Sequence, residues 1–283
     1  MSRFTLALAL SAGIVSFGQD LKKAESLYQR TDYSGSLQIV QTAKPPNAES
    51  YFLMGRDYFG LGQFKQATES FQKAGALGPK NSDYALWLGR TWGRRAEAAS
   101  PITAPVAAGR ARQCFELAVK LDPRNQEAVN DLFDYYLNAP GMLGGGLDKA
   151  AAVARHIAEL DEAEGHFAEA QLADRRKQFE KAEQQFRRAM QLAPKQVGRV
   201  IDLARYLAKR GRVQESDAVF AQAEKIEPGS PKLLYSRAKT YVETKRNLEQ
   251  ARQLLKQYLQ SNLTPEDPTR EEAQKLLRKA SGA

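Results

Sequence analysis

Imidazole and thiol are scarce in this chain. Among 283 residues there are two histidines, His156 and His166, and one cysteine, Cys114. A metal centre needs three or four nitrogen, oxygen or sulfur donors converging on one point. Glu159, Glu162, Glu164 and Glu169 lie near the histidines in sequence, but acids at this density are ordinary on helix surfaces. A lone cysteine closes no internal disulfide, and Cys114 sits on an apolar helical face, so a buried small hydrophobe is expected there. The segment Asn138–Gly146, NAPGMLGGG, precedes a helix expected from about Leu147, with Lys149 just inside it. A glycine-rich turn before a helix N-terminus can cradle an anion through backbone N–H groups and the helix dipole. The spacing is not that of a nucleotide loop, however. The lysine comes three residues after the last glycine, no Ser or Thr follows it, and no strand precedes. A structural turn is the expectation. No metal, no cofactor and no catalytic set are expected, and therefore no enzyme.

Composition sets the frame for whatever carries function instead. Apolar residues make up 42% of the chain and charged residues 27%, as in ordinary folded proteins. That excludes a polytopic membrane protein, a collagen-like fibre and a wholly disordered chain. Residues 1–18 read MSRFTLALALSAGIVSFG: one basic residue, an apolar run from Phe4 to Phe17, then small residues at Ser16 and Gly18. This is the pattern of a secretory signal peptide, shorter than a spanning helix requires, with cleavage expected before Gln19. The expected product is exported, periplasmic or secreted, with no transmembrane segment. Lys plus Arg number 42 against 33 Asp plus Glu, a formal charge of +9; losing Arg3 leaves +8. An exported basic protein meets anionic lipid head groups, acidic polysaccharide or acidic protein segments rather than nucleic acid.

The positioning elements emerge from a repeated unit. Residues 48–79 read AESYFLMGRDYFGLGQFKQATESFQKAGALGP. Gly55, Ala67 and Ala74 are small, Tyr58 and Phe71 large, Gly62 breaks the middle and Pro79 closes the unit. Ala204, Leu207, Gly211, Ser216, Phe220 and Ala223 repeat these offsets before Pro228, and Ala170, Ala173, Ala182, Phe186 and Ala189 do so before Pro194. The two prolines are 34 residues apart. Small residues belong where two helix axes approach to about 8–10 Å, and the central glycine permits a left-handed residue that ends the first helix. Less regular copies follow Ala24, Ser36, Val40 and Ala43; Gly89, Trp92, Ala111 and Phe115; Phe133, Tyr136 and Ala150; and Ala238, Tyr241, Ala251 and Leu255. In the last of these, Lys245-Arg246-Asn247 replaces the glycine turn. A final helix is expected after Asp267-Pro268, read as its N-cap and first-turn proline, with Ala273, Leu276, Leu277 and Ala280 on one apolar face.

This pattern resembles the tetratricopeptide repeat, whose period is 34 residues and whose unit is two antiparallel helices. The resemblance implies an all-α solenoid of about seven helix pairs plus a C-terminal capping helix. The repeats fall near 21–47, 48–81, 82–125, 126–162, 163–196, 197–230 and 231–263, with the cap at 268–281, in a domain spanning 19–283. It further implies an interaction scaffold that binds a protein or peptide in a concave groove lined by first helices. Residues one position after each small residue then face the groove: Arg56, Arg90, Asp134, Gln171, Arg205 and Lys239. Arg94, Arg175 and Lys209 extend a basic strip, and Asp131 joins Asp134 in interrupting it. Such a groove favours acidic or carboxylate-terminated segments; the same residues also read as a solvated charged face. An accessory protein for a small anionic ligand or glycan is the alternative function. One further departure stands out. Residues 96–109, AEAASPITAPVAAG, are expected as a long insertion between the helices of the third pair, either a passive bulge or a loop that covers the groove or touches a partner.

Overall fold

The computed structural model describes residues 19–42 and 45–282. The expected signal peptide and its cleavage point, as well as Ala43, lie outside the described residues. Fifteen α-helices and no strand occur among the described residues. They are α1 (residues 19–29), α2 (Tyr33–Thr42), α3 (Ala48–Gly60), α4 (Phe64–Leu77), α5 (Ser82–Glu97), α6 (Ala104–Leu121), α7 (Gln126–Asn138), α8 (Leu147–Leu160), α9 (Glu162–Arg175), α10 (Phe179–Leu192), α11 (Val197–Lys209), α12 (Val213–Ile226), α13 (Pro231–Glu243), α14 (Leu248–Gln260) and α15 (Arg270–Ala280). In chain order they make seven pairs and a terminal helix, an all-α architecture of the solenoid class.

The described residues divide into two compact units, one of those up to 132 with 140–144 and one of 133–139 with those from 145 onward. In the first, α3 packs on α4, α5 on α6, and α3 also reaches α5. The small positions make this possible. A Cβ added to Gly55 falls 2.5 Å from the Phe71 ring, and one added to Gly89 falls 2.7 Å from Phe115. The phenylalanine of each second helix therefore lies directly on the glycine of its first. Ala67, Phe71 and Ala74 are fully buried, and Phe52, Tyr84 and Trp87 build an aromatic cluster around Phe71. Ala24, Tyr28, Val40 and Leu53 form the core beneath α1 and α2.

In the second unit α9 packs on α10, α11 on α12 and α13 on α14, while α11 touches α13 and α13 touches α15. Contacts between alternate helices are what stack one pair on the next. The last core holds Leu234, Tyr241, Leu255 and Tyr258, covered by Ala273 and Ala280 of α15.

Turn chemistry follows the sequence in part. Gly62 and Gly211 take φ of +71° and +77°, as a helix ending in a left-handed residue requires. Where glycine is missing the same conformation is forced on Thr31, Lys177, Lys245 and Asn247, with φ between 48° and 60°. Two expectations need correction. The 96–109 stretch is not a long insertion: α5 runs to Glu97 and α6 starts at Ala104, leaving six residues between them. Pro105 lies in the first turn of α6, where its missing N–H has no partner to lose. The repeat is therefore enlarged by lengthening both helices. The terminal helix is capped by Thr269, in a reciprocal capping box with Glu272, and not by Asp267. The Asp267 carboxylate instead accepts from the Thr264 backbone N–H at 2.9 Å.

Candidate partner-binding recess

The repeat period places residues 34 apart at equivalent points on successive first helices. In the second unit this aligns Gln171 with Arg205, and Arg175 with Lys209 and Glu243. These side chains, with Asp174, Asp202, Thr240 and Thr244, line an open recess of about 530 Å³. Its apolar floor comes from Phe167, Phe186 and Tyr206. Phe186 stacks between the other two, with ring centroids 5.9 Å from Phe167 and 4.8 Å from Tyr206. The Tyr206 hydroxyl donates to the Phe179 carbonyl at 2.7 Å, which fixes the ring. Four of the ten expected groove residues, Gln171, Arg175, Arg205 and Lys209, thus converge on one concavity.

The charges there are not equivalent. Lys209 Nζ donates to Asp174 Oδ2 at 2.6 Å. Asp202 accepts from Arg199 Nη1 at 3.0 Å. Burial raises the Asp202 carboxyl above its usual range, against the opposing pull of Arg199, Arg205 and Lys232. Arg175 and Arg205 are exposed and make no ion pair or hydrogen bond among the described residues. Two guanidinium groups with all their donors to offer therefore border an aromatic floor. Bidentate recognition of a carboxylate or phosphate is the chemistry such groups supply.

The other expected groove residues behave differently. Arg56 is mostly buried, pairs with Glu25 and lies over Tyr28 with its guanidinium carbon 4.2 Å from the ring centroid. Arg90 Nε donates to Asp131 Oδ2 at 2.6 Å and Nη1 sits 2.9 Å from Glu127. Asp131 is thus the partner of a basic residue rather than an interruption between basic residues. Burial lifts its carboxyl above the usual range, against the pull of Arg90. Arg94 lies 3.4 Å from Glu97, and Lys239 lies 3.9 Å from Glu243. The backbone carbonyl of Asp134 accepts from the Asn138 side chain at 2.9 Å. What sequence reasoning missed was the partners. Glu25 and Asp174 lie 31 and 35 residues from the cations they hold, and their own spacing carries no motif. The aromatic floor was visible only as core positions of the repeat.

The residues first considered for chemistry stay apart. His156 Nδ1 lies 3.2 Å from Glu159, and His166 Nε2 lies 3.9 Å from Glu162. No grouping able to hold a metal ion occurs among the described residues. Burial pushes the Cys114 thiol up to about 11, away from nucleophilic use. The Gly-rich turn precedes α8 as expected, and Gly146 N donates to the Tyr136 carbonyl at 2.8 Å. At Gly145 any Cβ would collide with the Ala139 carbonyl. Close backbone approach accounts for this glycine.

Residues 48–81 and 201–269 each match a family profile described as tetratricopeptide repeat. No curated protein sequence matches the chain. Among solved structures, a tetratricopeptide repeat protein from Parabacteroides merdae ATCC 43184 superposes with a TM-score of 0.63 at 16% identity, over 94% of this chain and 99% of that one. A thermophilic TPR protein of Thermus thermophilus gives a TM-score of 0.55 at 21% identity, over 68% of this chain and 98% of that one. At these identities the likeness is one of fold. Two segments of the chain therefore match the tetratricopeptide repeat in sequence, and its fold is that of tetratricopeptide repeat proteins. No described helix is long and apolar enough to cross a membrane.

Proposed function

We propose that this protein is a non-catalytic scaffold, exported from the cytoplasm, that holds an acidic peptide or protein segment in the recess between α9, α11 and α13. The observation that carries the reading is the state of Arg175 and Arg205. Lys209, Arg56 and Arg90 are consumed by internal pairs, whereas these two arginines face the recess with no acid at ion-pair distance among the described residues. An acidic side chain or terminal carboxylate of the partner satisfies them, and an apolar neighbour in the same segment covers Phe167 and Tyr206. A charge-assisted hydrogen bond contributes about 1.5–3 kcal/mol, so each arginine accounts for roughly a tenfold change in affinity or more.

Export rests on the composition of residues 1–18. The test of binding is fluorescence anisotropy with a labelled peptide of aspartate and leucine ending in a free carboxylate. Arg175→Ala and Arg205→Ala should each weaken it about tenfold, with loss of salt dependence in the double variant, while the circular dichroism spectrum is retained. Equal affinity in all variants overturns the recess. If inorganic phosphate raises the melting temperature through the same two arginines and no peptide binds, a small anion is the ligand instead.

A further inference from the structure

The enlarged third repeat has a feature that recess binding does not use. The segment from Ala98 to Gly109 carries no charged residue. It closes the hairpin of α5 and α6, which at 16 and 18 residues are the longest helices described. Two of its aliphatic side chains point into solvent: Ile102 is 88% exposed and Val106 62% exposed. Immediately below, Arg95 and Arg110 form a basic collar, while Arg94 beside them pairs with Glu97 at 3.4 Å. The collar is held in place. The guanidinium carbons of Arg95 and Arg110 sit 4.1 and 4.5 Å from the Trp92 ring centroid, and Arg95 Nη1 donates to Thr68 Oγ1 at 3.0 Å. Farther along α6, Arg112 pairs with Glu116 at 3.3 Å and adds no net charge.

We infer that this hairpin tip seats in the interface of an anionic lipid surface, with Ile102 and Val106 inserted among the head groups and the arginine collar against lipid phosphates. Shape and charge both favour lipid over a protein partner. Two aliphatic side chains on a projecting turn cover far less than the roughly 800 Å² that each side of a specific protein interface buries. A bilayer interface requires only shallow insertion of apolar groups combined with nearby basic residues. Arg95 and Arg110 give the collar two positive charges, opposite to phosphate, and no acid lies on the tip itself. One such tip gives weak, reversible attachment. The inference is independent of the recess, which lies in the other unit.

Residues 1–18 are apolar and can bind vesicles on their own account, so the readout must be local. In the full chain with Cys114→Ser, an Ile102→Cys variant carries an environment-sensitive fluorophore. A Leu77→Cys variant carries the same label at an exposed site near the start of α5, the opposite end of the hairpin. Vesicles of phosphatidylglycerol should blue-shift and brighten the label at position 102 and leave that at position 77 unchanged. Vesicles of phosphatidylcholine should move neither. In the unlabelled chain, Ile102→Asp should weaken phosphatidylglycerol binding roughly tenfold relative to Leu77→Asp, and Arg95→Gln with Arg110→Gln should flatten its salt dependence. No shift at position 102 with anionic vesicles overturns the proposal, as does an equal shift at both positions. A shift with neutral vesicles alone overturns the role of the collar.

Discussion

Gly55 and Phe71 are so close that the absence of a single carbon decides how α3 and α4 pack. Gly55→Ala places a methyl 2.5 Å from the fully buried ring. The ring cannot retreat, because Phe52 and Trp87 hold it from other sides with centroids 5.7 and 6.1 Å away. Overpacking of this kind costs about 1–3 kcal/mol, to be read as a lower urea midpoint with an unchanged slope. Asp57, two residues on, makes the opposite kind of demand. Its side chain is fully buried; Ser36 Oγ donates to Oδ2 at 2.9 Å, and Oδ1 has no hydrogen-bond partner among the described residues. Burial raises its pKa from 3.8 to about 8, against the pull of Ser36 and Arg56, with Glu25 and Asp32 adding to the rise. The folded carboxyl therefore keeps its proton between these values while the unfolded one has lost it. The native state binds more protons in that window, so stability is full below about pH 4 and declines as pH rises through 8, by at most about 1.4 kcal/mol per pH unit. Asp57→Asn should remove that slope from the pH dependence of the melting temperature and leave the protein more stable at pH 9. A slope unchanged by the substitution places the linkage elsewhere.

At the scale of the helix and its turn, the sequence was legible where one residue type had one physical job. Small residues opposite Phe71, Phe115, Phe186 and Phe220 located the pairs, because only a short side chain admits such an approach. The glycine turns at Gly62 and Gly211 were legible for the same reason. Turns built without glycine were not. Lys177 and Lys245 do glycine's task at φ of +60° and +53°, and nothing in a lysine announces a left-handed residue. The 96–109 stretch was misread because two prolines suggested a break, yet one of them sits where a helix tolerates it. The strained turns can be tested directly. Lys177→Gly should stabilise the α9–α10 pair by about 0.5–1 kcal/mol, since the left-handed backbone is no longer opposed by a Cβ. Gly211→Ala, in the equivalent turn of the next pair, should cost a similar amount. Thermal unfolding of the two variants gives the comparison; if both move in the same direction, backbone strain is not what distinguishes the turns.

Across the whole molecule, stability is built pair on pair, and the ends are where this shows. The recess could not be read as a site from the sequence, since its arginines look no different from those already paired, and only the fold separates the two. The cap was readable, because a helix with one apolar face at the end of an array has one use. Ala273 and Ala280 are buried against the last pair, with Leu276 and Leu277 packed beside them, and the Tyr258 hydroxyl donates to the Pro268 carbonyl. Removing residues 264–283 uncovers Tyr258 and Leu255, both at 0% exposure in the intact chain. Losing the cover over two such side chains amounts to several kcal/mol at about 1.5–3 kcal/mol each. In an array where each pair leans on its neighbours, that loss is local. Hydrogen exchange should therefore show amides of α13 and α14 opening first in the truncated chain, with α11 and α12 affected less and α3 to α6 unchanged. The single substitution Leu277→Asp should reproduce the pattern more weakly. Protection lost evenly along the chain would mean that the pairs unfold as one block, and the nearest-neighbour account of this protein would have to be given up.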